Sequence, residues 1–95
     1  DDDNGVQSIA PGVWVVDAGL DLADFHEQTE IDLPEGDYHT VGGFVFHHLG
    51  RLPHRGDAIT WGERRFVVRR MEGRRIAEVL VRHAPPVKAN AEVKL

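Results

Sequence analysis

The sequence predicts an α+β domain, a small antiparallel sheet with two helices in the order β(β)-α-α-β-β-β. Three observations carry the prediction. Helix-period apolar spacing is confined to residues 21–30 and 40–50, in the middle of the chain. Short β-rich runs lie on either side, at 12–16 and from 58 onward. The later runs are separated by Gly62-Glu63 and Glu72-Gly73, turns short enough for hairpins and too short for crossovers.

Each element has a local reason. Gly12-Val-Trp-Val-Val16 puts Val13 and Val15 on one face of a strand and Trp14 and Val16 on the other. With apolar groups on both faces, this strand is expected to be covered on both sides or to sit at a seam. Asp17-Ala-Gly19 turns the chain, and Leu20 is placed to pair back. Asp21 then caps a helix over about 21–30, with Leu22, Phe25 and Thr29 along one face. Pro34 and Glu35-Gly36-Asp37 end that unit.

The second helix reads over 40–50. Thr40 is its N-cap, and Val41, Phe44, Val45, His48 and Leu49 share its apolar face. Gly50 stands where a left-handed terminator belongs, and Pro53 follows. Strands at 58–61, 64–71 and 74–82 complete the sheet. Phe66 and Val68 share one face, as do Ala77, Val79 and Val81, with Ile76 out of phase, which predicts a bulge or a strand buried on both faces.

Ninety-five residues with 41% hydrophobic content support one compact core. Residues 1–10 read as a flexible acidic linker, 11–84 as the domain and 85–95 as a C-terminal tail beginning at Pro85-Pro86. The start, DDDNG, lacks a Met and a signal pattern, so the chain reads as a piece of a longer polypeptide. No apolar run approaches the roughly 20 residues that span a bilayer, so no direct membrane insertion is expected. The absence of cysteine excludes disulfides and thiol chemistry and suits the cytoplasm.

Charge divides the chain. Residues 1–50 hold eleven acids and no Lys or Arg, whereas 51–95 hold all eleven Lys and Arg against five acids. The two halves are expected to neutralise each other in part, or to give a dipolar surface that docks on a charged partner. A net charge of −5 and few aromatics argue against a nucleic-acid partner.

Three features of the sequence invite a chemical reading. Gly42 and Gly43 lie in the first helical turn, where free N–H groups hold anions, but neither phosphate-loop pattern is present. Two helical glycines cost about 1 kcal/mol each relative to Ala. A close backbone approach is the simplest offset, and a ligand at Thr40, Gly42 and Gly43 is the alternative. The histidines are scattered, and His47 and His48 are adjacent instead of four apart as helical metal pairs are. No metal site is therefore expected, Asp37 with His39 being the weak candidate. His48 is expected to pack on the apolar face or to be hydrogen-bonded. The single serine, Ser8, and the lack of a carboxylate pair in an apolar pocket argue against an enzyme with catalytic residues.

The segments DLPEGDYHTVGGFVFHHLGRLPHRGD and WGERRFVVRRMEGRRIAEVLVRH resemble the transporter-associated domain of the CorC/HlyC family. The resemblance spans about 12–83. Its marks are Trp14, Asp21-Leu22, Leu33-Pro34, Asp37 to Gly43, Leu49 to Pro53, Gly56-Asp57 and Arg74 to Val81. His39 and His48 depart from the family pattern. The resemblance implies a non-catalytic regulatory or interaction domain at the cytoplasmic face of the cell membrane, in a longer magnesium/cobalt efflux or hemolysin-like protein. It implies a CBS-domain pair and a membrane domain of the same chain as partners, with a homodimer as a further arrangement. It also implies a fold grouped with FAD-binding domains. No cofactor is expected, FAD or an adenine nucleotide entering by fold analogy alone. Arg69, Arg70, Arg74 and Arg75, around one β-turn, are the expected docking charges.

Overall fold

The computed structural model describes residues 5–84. The elements run β1 (Val6–Ala10), β2 (Val13–Asp17), α1 (Leu22–Thr29), α2 (Val41–Leu49), β3 (Ala58–Trp61), β4 (Arg64–Glu72) and β5 (Arg75–His83). One five-stranded sheet has the order β1-β2-β5-β4-β3, with every neighbouring pair antiparallel. The expected α+β architecture is the observed one.

Both helices form as their end signals direct. The Asp21 carboxylate accepts from Ala23 N at 2.9 Å, and Thr40 Oγ1 accepts from Gly43 N at 3.1 Å. Gly50 closes α2 at φ 72°, where glycine avoids the left-handed Cβ clash. α1 is closed by Glu30, the one non-glycine residue with positive φ among the described residues, at 63°.

The core lies between the helices and one face of the sheet. Phe25, Phe44 and Phe66 are fully buried with Val16, Val41, Val45, Val68, Val79 and Val81. The Phe44 and Phe66 rings meet edge to face at 5.3 Å between centroids. Phe66, Val68, Val79 and Val81 thus share the inner face as their alternation predicts. The irregularity near Ile76 is observed: β5 carries Ala77 as an extra residue between the Arg70–Glu78 and Met71–Ile76 pairs, and β4 carries Arg69 as one between the Val68–Val79 and Arg70–Glu78 pairs.

Two expectations are corrected. Residues 6–10 are not part of a linker: Val6 pairs with Val16 and Gln7 with Val15, which makes β1 an edge strand of the sheet. The strand exists because the outer edge of β2 would otherwise leave its amides and carbonyls unpaired. Residues 1–4 and the expected tail at 85–95 lie outside the described residues. The second correction concerns β2. Val16 is buried, but Val13 and Val15 face away from the helices and are covered by no other element among the described residues. The strand is interior to the sheet, between β1 and β5, without being covered on both faces.

Candidate functional site

The start of α2 is tied into the rest of the fold by its own backbone. Val41 N donates to Leu20 O at 3.0 Å, Gly42 N to Ala18 O at 2.8 Å and Phe44 N to Thr40 O at 2.9 Å. With Gly43 N on the Thr40 hydroxyl, each of the first four helical amides has a protein acceptor. Amides that hold an anion at a helix start must be free to point at it. Here they are engaged.

Glycine is required at this junction by proximity. A Cβ on Gly42 would lie 2.7 Å from Ala18 Cβ and 3.0 Å from Ala18 O. A Cβ on Gly43 would lie 3.0 Å from Tyr38 Cβ and 3.2 Å from Thr40 Oγ1. The missing side chains let α2 approach the turn after β2, so close backbone approach offsets the helix cost of the pair. Thr40, Gly42 and Gly43 also border an open groove of about 1070 Å³, whose other walls include Asp17 on β2 and Arg70 and Glu78 on the β4–β5 hairpin.

The other candidate residues are dispersed. Asp37 and His39 are both exposed and flank the buried Tyr38, whose hydroxyl donates to Pro34 O at 2.7 Å. Among the described residues, no group of three or more His, Cys, Asp or Glu is arranged to hold a metal ion. His48 is exposed and not packed into the apolar face. Its Nδ1 is 3.0 Å from Phe44 O, where the N–H donates, and its ring lies 4.5 Å from the Phe44 ring. Of the two expected arrangements it takes the hydrogen-bonded one, at the rim of the core face, with its ring 5.7 Å from that of Trp61.

The arginines form a graded surface. Arg69 pairs with Glu78 at 3.0 Å, and Arg70 approaches the same oxygen at 3.7 Å. Arg74 and Arg75 are exposed at the hairpin turn. These four residues therefore lie together on the β4–β5 hairpin. In the loop after α2, Arg51 grips Asp57 through two bonds, at 3.0 and 3.1 Å, and His54 N adds a third at 2.8 Å. The Arg51 guanidinium and the His54 amide hold the Asp57 carboxyl below its ordinary value. Asp57 also fixes the loop to β4, because its carbonyl accepts from Val68 N at 2.7 Å.

Sequence reasoning missed one outward-facing pair. Arg65 and Arg82 are direct cross-strand partners on the face away from the helices, and Arg65 Nε is buried without a hydrogen-bond partner. The signal was the double arginine Arg64-Arg65. Its members separate to opposite faces, Arg64 lying 5.8 Å from the Trp14 ring.

The CorC_HlyC family, described as the transporter associated domain, matches residues 7–85. A UPF0053 protein of Synechocystis is 36% identical over 85 residues, covering 85% of this chain and 19% of its own length. The magnesium and cobalt efflux protein CorC of Escherichia coli K12 is 30% identical over 82 residues, covering 86% of this chain and 28% of its own. A polyamine export protein of Salmonella typhimurium is 34% identical over 70 residues, covering 72% of this chain and 16% of its own. Among solved structures, a CorC_HlyC domain of a Xylella fastidiosa hemolysin in complex with Mg²⁺ and Mn²⁺ superposes with a TM-score of 0.72. It is 25% identical, with 85% of this chain and 99% of that one covered. The chain thus spans less than a third of the length of these full-length relatives, and no helix among the described residues is long and apolar enough to cross a membrane. Neither the flavin-domain grouping nor a CBS pair emerges from these comparisons. On the extent of the match, from β1 to the end of β5, the chain belongs to the CorC_HlyC transporter-associated-domain family.

Proposed function

We propose that this domain is a non-catalytic regulatory module of a longer membrane transport protein. It modulates ion movement from the cytoplasmic side by docking on other parts of the same polypeptide. The observation that carries the reading is that relatives named for different cargo, magnesium and cobalt in one case and polyamines in another, share this domain as a minor part of their length. A module common to different cargoes acts on the transporter more plausibly than on the cargo. Its partners in this reading are a CBS-domain pair and the membrane domain, with Arg69, Arg70, Arg74 and Arg75 as the charges that meet them. Docking of this kind changes transport only through a difference in contact energy between two transporter states.

The test is flux through the full-length protein in sealed vesicles. Deleting residues 7–85, and separately replacing the four hairpin arginines with glutamine, is expected to change the rate or its regulation at unchanged protein level. Wild-type flux and regulation in both variants overturn the proposal.

A second reading is favoured by the open groove beside Thr40, Gly42 and Gly43. A small ligand such as a flavin, an adenine nucleotide or an anion would rest there on the outer surface of the joint. Thermal shift with FAD, AMP and phosphate tests it, and no shift at millimolar ligand rejects it. The magnesium and manganese in the Xylella domain prompt the parallel titration with divalent cations, Asp37 and His39 being the residues to replace.

A further inference from the structure

Arg65 on β4 and Arg82 on β5 stand directly opposite each other on the face of the sheet turned away from the helices. Opposed residues have Cβ atoms about 5 Å apart, so two guanidiniums of like charge share one patch and repel. Both residues are half-buried. Other arginines meet acids: Arg69 and Arg70 share Glu78, and Arg51 holds Asp57. Among the described residues, no carboxylate stands within ion-pair distance of Arg65 or Arg82. Arg82 has one long bond, from Nη1 to His83 O at 3.5 Å, and Arg65 Nε is buried without an acceptor. A charged donor so placed is unusual, because nothing replaces its lost hydration.

The neighbours on the same face are a hydroxyl and an aliphatic row. Thr60, the direct partner of Arg65 on β3, is exposed. The row lies two residues along the strands, about 7 Å from the arginines. In it Val15 pairs with Leu80, Leu80 with Val67, and Val67 with Ala58, across four adjacent strands. Val13 adds to the same face by alternation. None of these five residues belongs to the core cluster or packs against it. Asp17 and Glu78 lie beyond the row, about 14 Å from the arginine pair, and Glu78 is already engaged by Arg69 and Arg70.

We infer that Arg65 and Arg82 form a binding site for a phosphate group carried on an apolar organic moiety. A guanidinium offers its donors as a planar fork matched to phosphate oxygens. A carboxylate has oxygens for one such fork, whereas a phosphate can serve two and the Thr60 hydroxyl as well. The anion turns the repulsion within the pair into shared attraction. It also gives Arg65 Nε an acceptor once the side chain presents its Nε–Nη edge. The organic group then lies along Leu80 and Val67. A soluble phosphate ester and a phospholipid headgroup share this chemistry. The site is distinct from the groove at Thr40, Gly42 and Gly43, whose walls include neither arginine, and the inference is independent of the regulatory reading above.

The open face bounds the strength. Water competes for both guanidiniums, so inorganic phosphate is expected to bind with a dissociation constant on the order of 1–10 mM. An ester bearing an aliphatic chain is expected to bind at least about threefold tighter, because part of the chain leaves water on the row.

Titration of the 95-residue chain with inorganic phosphate and with n-hexyl phosphate tests the site, followed by NMR of arginine side chains and methyl groups at an ionic strength held with chloride. The expected result is saturable shifts of the Arg65 and Arg82 Nε–H signals with both ligands, and of the Leu80 and Val67 methyl groups with the ester. Arg65→Gln and Arg82→Gln are each expected to weaken binding at least fivefold. Their melting points should hold or rise, since one of two opposed like charges is gone, and this separates the site from the fold. Vesicles of phosphatidylcholine with and without phosphatidylglycerol distinguish the sources. Retention on the phosphatidylglycerol vesicles that the glutamine variants lose assigns a headgroup, and ester binding without retention assigns a soluble ester. Shifts that do not saturate, or that chloride reproduces, overturn the proposal. So do shifts confined to the hairpin-turn arginines or the α2 amides, and binding that both variants leave unchanged.

Discussion

Gly42 N donates to Ala18 O at 2.8 Å, and a side chain at position 42 would press on Ala18 at 2.7 Å. The joint between the second helix and the turn after β2 therefore has no room for even one methyl group. Helix propensity alone says that Gly→Ala here should stabilise by about 1 kcal/mol. The contact reverses that sign, because both Ala18 Cβ and its carbonyl belong to stiff structure. Gly42→Ala is expected to destabilise by about 2 kcal/mol in urea denaturation. Gly43→Ala, which meets its neighbours at 3.0 Å and beyond, should cost less. A gain in stability at 42 would refute the joint.

Glu30 sits at φ 63° and ψ 20°, closing α1 with its N–H on His26 O at 2.7 Å. A residue with a Cβ pays for this conformation, and glycine does not. Glu30→Gly is expected to raise stability by about 0.5–1 kcal/mol. Calorimetric midpoints of the two proteins, compared at one pH, check this.

Asp57 gives the pH dependence. Its carboxyl lies below the ordinary carboxylate value because Arg51 and the His54 amide favour the ion. A depressed folded-state value means that its contribution is complete above the unfolded value, about 3.9, and is lost as pH falls through the lower folded value. Denaturation midpoints measured from pH 6 down to pH 2 should fall in the acid range. In Asp57→Asn that fall should be shallower, with lower stability at pH 6. An unchanged acid slope would detach Asp57 from the effect.

Phe44 is fully buried and meets Phe66, Tyr38, His48 and Trp61. Phe44→Ala removes the centre of that cluster and is expected to cost about 3–5 kcal/mol. That is a large part of the stability of a domain this small. Circular dichroism at 25 °C should show a partly or wholly unfolded chain, and Trp61 fluorescence should shift to the red.

Much of this fold was legible because local and tertiary preferences agree. Thr40 and Gly50 bound α2 in sequence and in space, and Asp21 does the same for the start of α1. Turn glycines at 62 and 73 adopt φ of 63° and 65°, as hairpin turns with a left-handed residue require. β1 was not legible, because Val-Gln-Ser-Ile-Ala carries no alternation and follows an acidic run. It is a strand only because β2 offers it an edge. His48 takes the hydrogen-bonded arrangement of the two the sequence allowed, and the choice was not legible because an apolar-face assignment at 100° per residue does not specify where the core ends. The Gly42–Gly43 joint was readable as a demand for space, but Ala18 as the neighbour was not. The outward aliphatic row was visible as Val13 and Val15, whereas its continuation through Leu80 and Val67 depends on strand order, which no local pattern states.

The strand order has a mechanical consequence. β1 and β5 both run antiparallel to β2 between them, so the described chain enters at one end of the sheet and leaves at the other. Tension applied between Val6 and Ala84 would act along the strands. The ladder would be sheared with many bonds loaded at once, instead of being unzipped one rung at a time. Held in line between two moving bodies, such a unit would transmit a pull before it yielded to one.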